Sequence, residues 1–343
     1  MNNPVLTVPR TRNDDTMQAL VSRSYGGPEV LAVERVAKPA PQEGDVLIRN
    51  HASVVTAAIS SARAGKGFAT RLYFGLTRPK WPILGTNFSG VVEAVGGGLS
   101  RFRVGDRVSG TSATNFGAFA EFIVIAADGA VIPTPANLSD AEAVAVFDGA
   151  VTALPFLRDT AHLHAGQSIV INGASGAVGT AAIQLAKHLG ATVTAVCSTA
   201  NVELVRTLGA DSVIDYTVED FTRNTDAYDV VFDTVATSSF TRSRRALKRG
   251  GIYLTTMPSL TILLQMLWTK RIGPKKAAIT FTGLAKPAEL VKNLEFIAKL
   301  AESGEFVPVI GATHPIESAA EAHRIVDTGH KTGSAVITIG AEH

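Results

Sequence analysis

Cysteine is nearly absent. Cys197 is the single one in 343 residues, which excludes an internal disulfide and a cysteine-rich zinc lobe. Charge is sparse too, with 18% Asp, Glu, Lys and Arg and a formal balance of +2. So small an excess makes no case for nucleic acid or a membrane as the main partner. No apolar run approaches the roughly 20 residues that span a bilayer. The longest, Leu260 to Trp268, is short and is followed by Lys270, Arg271, Lys275 and Lys276. Residues 1–16, MNNPVLTVPRTRNDDT, lack the apolar core of a secretion signal and read as a disordered extension of a cytoplasmic protein. What remains is a globular composition, 46% hydrophobic, and a length that suits two domains.

The chain is organised around Ser168 to Gly190, SIVINGASGAVGTAAIQLAKHLG. Ile169, Val170 and Ile171 form a strand-like run. Gly173, Gly176 and Gly179 follow at intervals of three, and then Val178, Ala181, Ala182, Leu185, Ala186 and Leu189 fall on one helix face. Strand, glycine turn and helix in that order present free N–H groups and a partial positive charge to a pyrophosphate. The expected cradle is Gly173-Ala174-Ser175-Gly176-Ala177-Val178. Further strands at Thr192 to Cys197, Val213 to Asp215, Asp229 to Asp233 and Gly251 to Thr256 alternate with helical segments, the pattern of a doubly wound parallel sheet.

The missing residue that selects the cofactor is an acid. A carboxylate about 20 positions past the first glycine binds ribose hydroxyls in NAD sites and repels a 2′-phosphate. Here the segment is Cys197-Ser198-Thr199-Ala200-Asn201. Ser198, Thr199 and Asn201 can donate to a phosphate, with Arg206 and Tyr216 as further donors. The same residues suit helix caps, and the two roles are compatible. The missing acid favours NADPH over NADH.

Before residue 138 the chain changes character. Short alternating strands such as Met17 to Ser22, Asp45 to Asn50, Gly90 to Val95 and Ala120 to Ile125 are separated by glycine and proline turns, as in a small β barrel or sandwich. Ala64 to Pro82 reads as a loop rich in Arg, Lys and aromatics, either a lid over a site or a solvated insertion whose aromatics pack on the barrel.

Four segments together carry a resemblance: Tyr25-Gly26-Gly27-Pro28-Glu29-Val30-Leu31; Pro82-Ile83-Leu84-Gly85-Thr86-Asn87-Phe88-Ser89-Gly90; Gly173 to Gly179; and Ala322-His323-Arg324 through Gly329-His330-Lys331-Thr332-Gly333. From Met17 onward the chain resembles the medium-chain dehydrogenases/reductases, in their zinc-independent quinone oxidoreductase branch. The resemblance implies an α/β protein with a GroES-like β-barrel catalytic domain (17–137 and 284–343) and a Rossmann NADP-binding domain (138–283). It also implies a homodimer paired through an edge strand at Ala278 to Phe281.

Catalytic zinc needs three Cys, His or carboxylate ligands. The family's zinc members carry Gly-His-Glu where this chain has Gly85-Thr86-Asn87, and a cysteine near Val54 and Val55, so no metal is expected. His51 nearby reads as a packed or surface residue. The resemblance implies hydride transfer from NADPH to a quinone or an α,β-unsaturated carbonyl, which conjugation already activates. Tyr73 is the candidate proton donor, and Val55, Thr56, Tyr73 and Asp148 are the candidate pocket. Thr152 matches the family position that contacts nicotinamide or pyrophosphate. Val235, Met257 and Ser334 are placed beside the cofactor, and Ala236 stands where the family usually has Gly.

The chain departs from the family at Val55, usually Asn, and at Val146-Phe147-Asp148, usually beginning Val-Pro. Asp148 either lines the cleft or caps a turn with Gly149. With these departures an alcohol or ketone dehydrogenase without zinc, and a low-turnover NADPH-binding protein, remain alternatives.

Overall fold

The computed structural model describes residues 15–98, 100–112 and 115–340. Residues 1–14 of the expected extension lie outside them. Asp15 and Thr16 already belong to the first hairpin: Thr16 opens β1 (Thr16–Ser22), and Lys38 donates its N–H to the Asp15 carbonyl at 3.0 Å.

β1 pairs antiparallel with β2 (Leu31–Ala37). β3 (Asp45–Val54) then leads into α1 (Ala57–Ala64) and α2 (Phe68–Phe74). α2 corrects the loop expected at 64–82, of which α1 takes only Ala64. Thr56 caps α1 by accepting from the Ile59 N–H at 3.1 Å, and Gly65 ends it at φ +60°. Glycines 67 and 75 bracket α2. Five glycine and proline breaks within this stretch hid the helical turns between them. β4 (Asn87–Val95), β5 (Arg107–Thr111), β6 (Phe122–Ala126) and β7 (Val131–Pro133) complete this half.

α3 (Asp140–Leu154) begins with a capping box in which the Ser139 hydroxyl accepts from the Glu142 N–H and the Glu142 side chain accepts from the Ser139 N–H. Pro155, which has no N–H to donate, opens a wider helical turn through Thr160. The Rossmann strands and helices follow: β8 (Ser168–Asn172), α4 (Ala177–His188), β9 (Thr192–Cys197), α5 (Val202–Thr207), β10 (Ser212–Asp215), β11 (Tyr228–Asp233), α6 (Phe240–Ser243), β12 (Leu247–Thr255), α7 (Leu260–Arg271) and β13 (Lys276–Ala278). The chain closes with α8 (Pro287–Glu302), β14 (Ile310–Pro315), α9 (Ala319–Asp327) and β15 (Ser334–Thr338).

Two sheets organise the molecule beside the β1-β2 hairpin. One is parallel, in the order β10-β9-β8-β11-β12-β13. The order reverses between β8 and β11, and ligands of open α/β sheets bind at the carboxyl edge there. The other sheet runs β14-β15-β3-β4-β5-β7, with β6 also paired to β3. It joins both parts of the GroES-like half through β15 against β3.

The edge strand lies at 276–278 rather than 278–281: Lys276, Ala277 and Ala278 pair with Ile252, Tyr253 and Leu254. The place of α8 also differs from expectation. Its Leu290, Leu294 and Ile297 share one apolar core with Ile169, Val231 and Leu254 of the parallel sheet. The amphipathic pattern showed that one face is buried, not against which sheet. The chain rejoins the GroES-like half at β14.

Candidate active site

A cavity of about 730 Å³ opens between the two halves. The carboxyl ends of β8 and β9, the loop after β11 and the start of α4 form its Rossmann wall. Thr56 and Ala57 at the start of α1, Asp148 in α3, and Gly329, His330 and Lys331 after α9 close the other side.

The three glycines of the turn have separate reasons. Gly173 has φ +79°, a conformation costly for residues with a Cβ. A Cβ on Gly179 would lie 2.2 Å from the Gly173 carbonyl oxygen, so the helix can approach the strand only without one. A Cβ on Gly176 would meet nothing nearer than 3.6 Å, and its open space faces the cavity. The first helical bond of α4 runs from the Thr180 N–H to the Gly176 carbonyl at 2.8 Å. The N–H groups of Ala177, Val178 and Gly179 therefore lie outside the helix ladder, in the arrangement that receives phosphate oxygens. This wall fits a dinucleotide.

The loop after β11 is held by Asp233, which is fully buried. Its carboxylate accepts from Asn172 Nδ2 at 3.0 Å, Tyr253 Oη at 3.0 Å and the Ser238 N–H at 2.9 Å. Burial, and then the neighbouring Asp233 charge, push the Tyr253 hydroxyl upward, so it stays a donor. Asp233, expected at the strand end where the cofactor loop begins, thus fixes Thr234 to Ser238 along the cavity, a role that no local pattern signals.

At the end of β9, Ser198 and Asn201 line the cavity and bond to each other at 3.2 Å. Thr199 turns away: its hydroxyl donates to Asp215 Oδ2 at 2.5 Å, and it is not part of the lining. That bond, with those from Thr217, holds the Asp215 carboxyl below its usual value. Cys197 lines the wall beside Ser198, its thiol pushed up to about 11 by burial and then by the Asp215 charge. A thiol held so high is no nucleophile at neutral pH.

Of the remaining expected residues, Gly173, Ser175, Gly176, Ala177, Val178, Tyr216, Val235, Met257, Thr56 and Asp148 line the cavity. Ala174 is buried behind the turn, with its N–H on the Val196 carbonyl at 3.0 Å. Thr152, one helical turn beyond Asp148, is half-buried and outside the lining. Val55 is corrected from pocket to core: it is fully buried with Leu20, Ile59 and Phe119. Tyr73 is also corrected. It is 54% exposed, lies in an aromatic group with Phe74 and Trp81, and does not reach the cavity.

The alternatives for Asp148 are resolved. α3 continues past Gly149 to Leu154, and the Asp148 carboxylate faces the cavity, where Oδ2 accepts from Ser334 Oγ at 2.8 Å. Ser334 is buried and touches the site through Asp148. Lys331, missed as a site residue although it lies in the C-terminal signature, has its Nζ 3.7 Å from the same carboxylate oxygen.

Around the positions of the family's zinc ligands, the Ser53 hydroxyl, beside Val54, donates to the Asn87 carbonyl at 2.6 Å and Thr86 Oγ1 donates to Asn87 Oδ1 at 3.3 Å. Among the described residues no three His, Cys, Asp or Glu side chains gather as a metal site. His51 is taken up by Asp140, its Nδ1 2.8 Å from Oδ2. Burial raises the Asp140 carboxyl, but the bonds from His51, Ser89 and Arg107 outweigh it and bring it to about 2.

A six-stranded Rossmann sheet, a glycine turn and a cleft closed by a second sheet define a nucleotide-dependent oxidoreductase architecture. Residues 42–136 match the family described as alcohol dehydrogenase GroES-like domain, and residues 208–337 the one described as zinc-binding dehydrogenase. The chain is 30% identical to a quinone oxidoreductase of Pongo abelii, over 94% of this chain and 98% of that one. It is 33% identical to a 2-methylene-furan-3-one reductase of Solanum lycopersicum, over 94% and 79%. The solved quinone oxidoreductase of Coxiella burnetii superposes with a TM-score of 0.84 at 26% identity, over 95% and 100%. The chain belongs to the medium-chain dehydrogenase/reductase superfamily, in the quinone oxidoreductase-like branch.

Proposed function

We propose that this protein is a zinc-independent, NADPH-dependent reductase that delivers hydride to a quinone or an α,β-unsaturated carbonyl. The observation that carries the reading is the one continuous cavity that joins the glycine turn to Thr56. A dinucleotide laid along the Rossmann wall brings its reactive end toward the GroES-like half. The cofactor supplies the hydride; the protein positions, donates and excludes water.

The free N–H groups at the start of α4 take the diphosphate. Ser198, Asn201 and Tyr216 meet the adenosine ribose, and the absence of a carboxylate from Ser198 to Asn201 supports NADPH. The Thr56 hydroxyl oxygen is occupied as an acceptor by the Ile59 N–H, which leaves its proton free to point into the cavity. Thr56 is therefore the donor best placed for an acceptor carbonyl oxygen as negative charge develops there. Tyr73 takes no part, and the one proton that accompanies the hydride comes from solvent. No metal is needed, because Thr86 and Val55 stand where zinc ligands would. A homodimer formed along the free edge of β13 is part of the same reading.

The test is oxidation of NADPH by purified protein against quinones, 2-alkenals and cyclic enones, with NADH and a zinc chelator in parallel. Turnover with NADPH that survives the chelator supports the reading. Alcohol-dependent reduction of NADP without enone turnover would replace it with a dehydrogenase, and binding without turnover would replace it with a cofactor-binding role.

A further inference from the structure

Two charges in the cavity have no part in the chemistry above. Asp148 and Lys331 come from opposite sides of the chain, and both are largely withdrawn from water, their side chains 5% and 14% exposed. They flank the same first turn of α4. Gly149 lies so close to that turn that a Cβ on it would fall 1.9 Å from the Ala177 carbonyl oxygen. On the other side the Gly333 N–H donates to the Ser175 carbonyl at 2.8 Å, and Thr332 Oγ1 donates to Asn201 Oδ1 at 3.1 Å. The segment that carries Lys331 is thus tied to the glycine turn and to the end of β9.

Within the pair, geometry is uneven. Asp148 Oδ2 is already engaged by Ser334 at 2.8 Å, whereas Lys331 Nζ stands off at 3.7 Å, beyond a hydrogen bond. An ammonium has three donors, and among the described residues none of them makes a hydrogen bond. A carboxylate alone beside a helix N-terminus would oppose an anion; a carboxylate that tethers a lysine brings a cation to it instead.

We propose that Lys331 is the cation that meets the diphosphate of the bound dinucleotide, and that Asp148, itself held by Ser334, is the positioning residue that aims it. The proposal rests on the dinucleotide reading of the cavity. On binding, Lys331 exchanges a loose contact with one carboxylate for phosphate oxygens lying over Ala177 and Val178, while Asp148 keeps the ammonium from swinging into solvent.

Calorimetric titration tests this with three ligands: NADPH; 2′-phospho-ADP-ribose, which keeps the diphosphate but lacks nicotinamide; and 2′,5′-ADP, which lacks the diphosphate bridge. If the protein prefers NADH, then NADH, ADP-ribose and AMP take their places. Lys331→Met should weaken the two diphosphate ligands about tenfold and the third less than about twofold. Lys331→Arg should restore binding to within about threefold, and in an Asp148→Asn background Lys331→Met should cost less than about threefold. A thermal melt of each variant shows that it is folded. Equal weakening of all three ligands, or of none, overturns the proposal while leaving the dinucleotide site intact. Failure of the unaltered protein to bind any of the six overturns the site reading and the proposal with it.

Discussion

Gly149 and Ala177 are in contact through backbone alone: a Cβ on Gly149 would stand 1.9 Å from the Ala177 carbonyl oxygen. α3 thereby rides directly on the first turn of α4. Because the obstructing atom is backbone, Gly149→Ala must push one helix off the other, an overpacking that costs about 1–3 kcal/mol. The displaced turn should also weaken cofactor binding. Urea unfolding and NADPH titration check both effects, and unchanged values for both would show that the contact is slack.

Ala236 lines the cavity at φ +55°, a left-handed conformation that a side chain with a Cβ adopts at a cost. Ala236→Gly should therefore stabilise the protein by about 1 kcal/mol, the relief of strain exceeding the added freedom of the unfolded chain. The expected outcome is a higher thermal midpoint with cofactor affinity retained; a lower midpoint would mean that the loop carries no strain.

His323 is fully buried between α9 and α1, its Nδ1 3.1 Å from Ser60 Oγ and its ring edge-on to Phe119. Burial, and next the Arg63 charge, hold its pKa down to about 3 against an ordinary 6.5. The sign follows: below pH 6.5 the unfolded chain takes up a proton that the folded one refuses. Stability from neutral His323 is therefore complete above pH 6.5 and falls by about 1.4 kcal/mol per pH unit as the pH drops toward 3. Between pH 7 and pH 5 the protein should lose about 2 kcal/mol more than its His323→Gln variant. Parallel urea curves for the two proteins would refute the buried neutral histidine.

One face of α7 is apolar and largely open to solvent. Leu260, Leu264, Leu267 and Trp268 stand on it 73%, 58%, 67% and 48% exposed, while Ile262 and Thr269 pack inward. The helix also anchors the sheet edge, with Thr269 Oγ1 accepting from the Ala277 N–H at 3.1 Å. Among the described strands β13 pairs with β12 alone. A second copy docked along β13 and α7 would cover the apolar face together with the strand edge, whose Ala277 N–H is already held by Thr269. Sedimentation should show a dimer that the double change Leu264→Glu, Leu267→Glu splits into folded monomers; a monomeric parent protein would refute it.

The Rossmann half was legible because most of its strands are short, largely apolar runs ended by glycine or polar residues, and α4 carries one apolar stripe. β9 coincides with its expected limits, Thr192 to Cys197. Expectation failed where identity depends on what lies across a gap. The α2 segment carries the composition of a loop, and only the fold shows its Phe74 meeting Trp81 and Phe116. Tyr73 has the right chemistry for a donor, but its neighbours direct it away from the cavity. Val55 sits one residue from Thr56, yet the end of β3 turns it into the core and leaves Thr56 to the site. Lys331 and Asp148 share no local pattern at all; their meeting is visible only in three dimensions.

The Asp148 to Ser334 bond joins residues 186 positions apart. During synthesis the parallel sheet, its glycine turn and α3 are all complete before β15 exists to supply Ser334, and Lys331 arrives with it. The nascent chain therefore carries a nucleotide-binding sheet whose opposite wall, with Thr56 and Asp148 already made, still lacks Lys331. The Asp148 to Ser334 contact closes a long loop that cannot form until β15 has been made and lies beside β3.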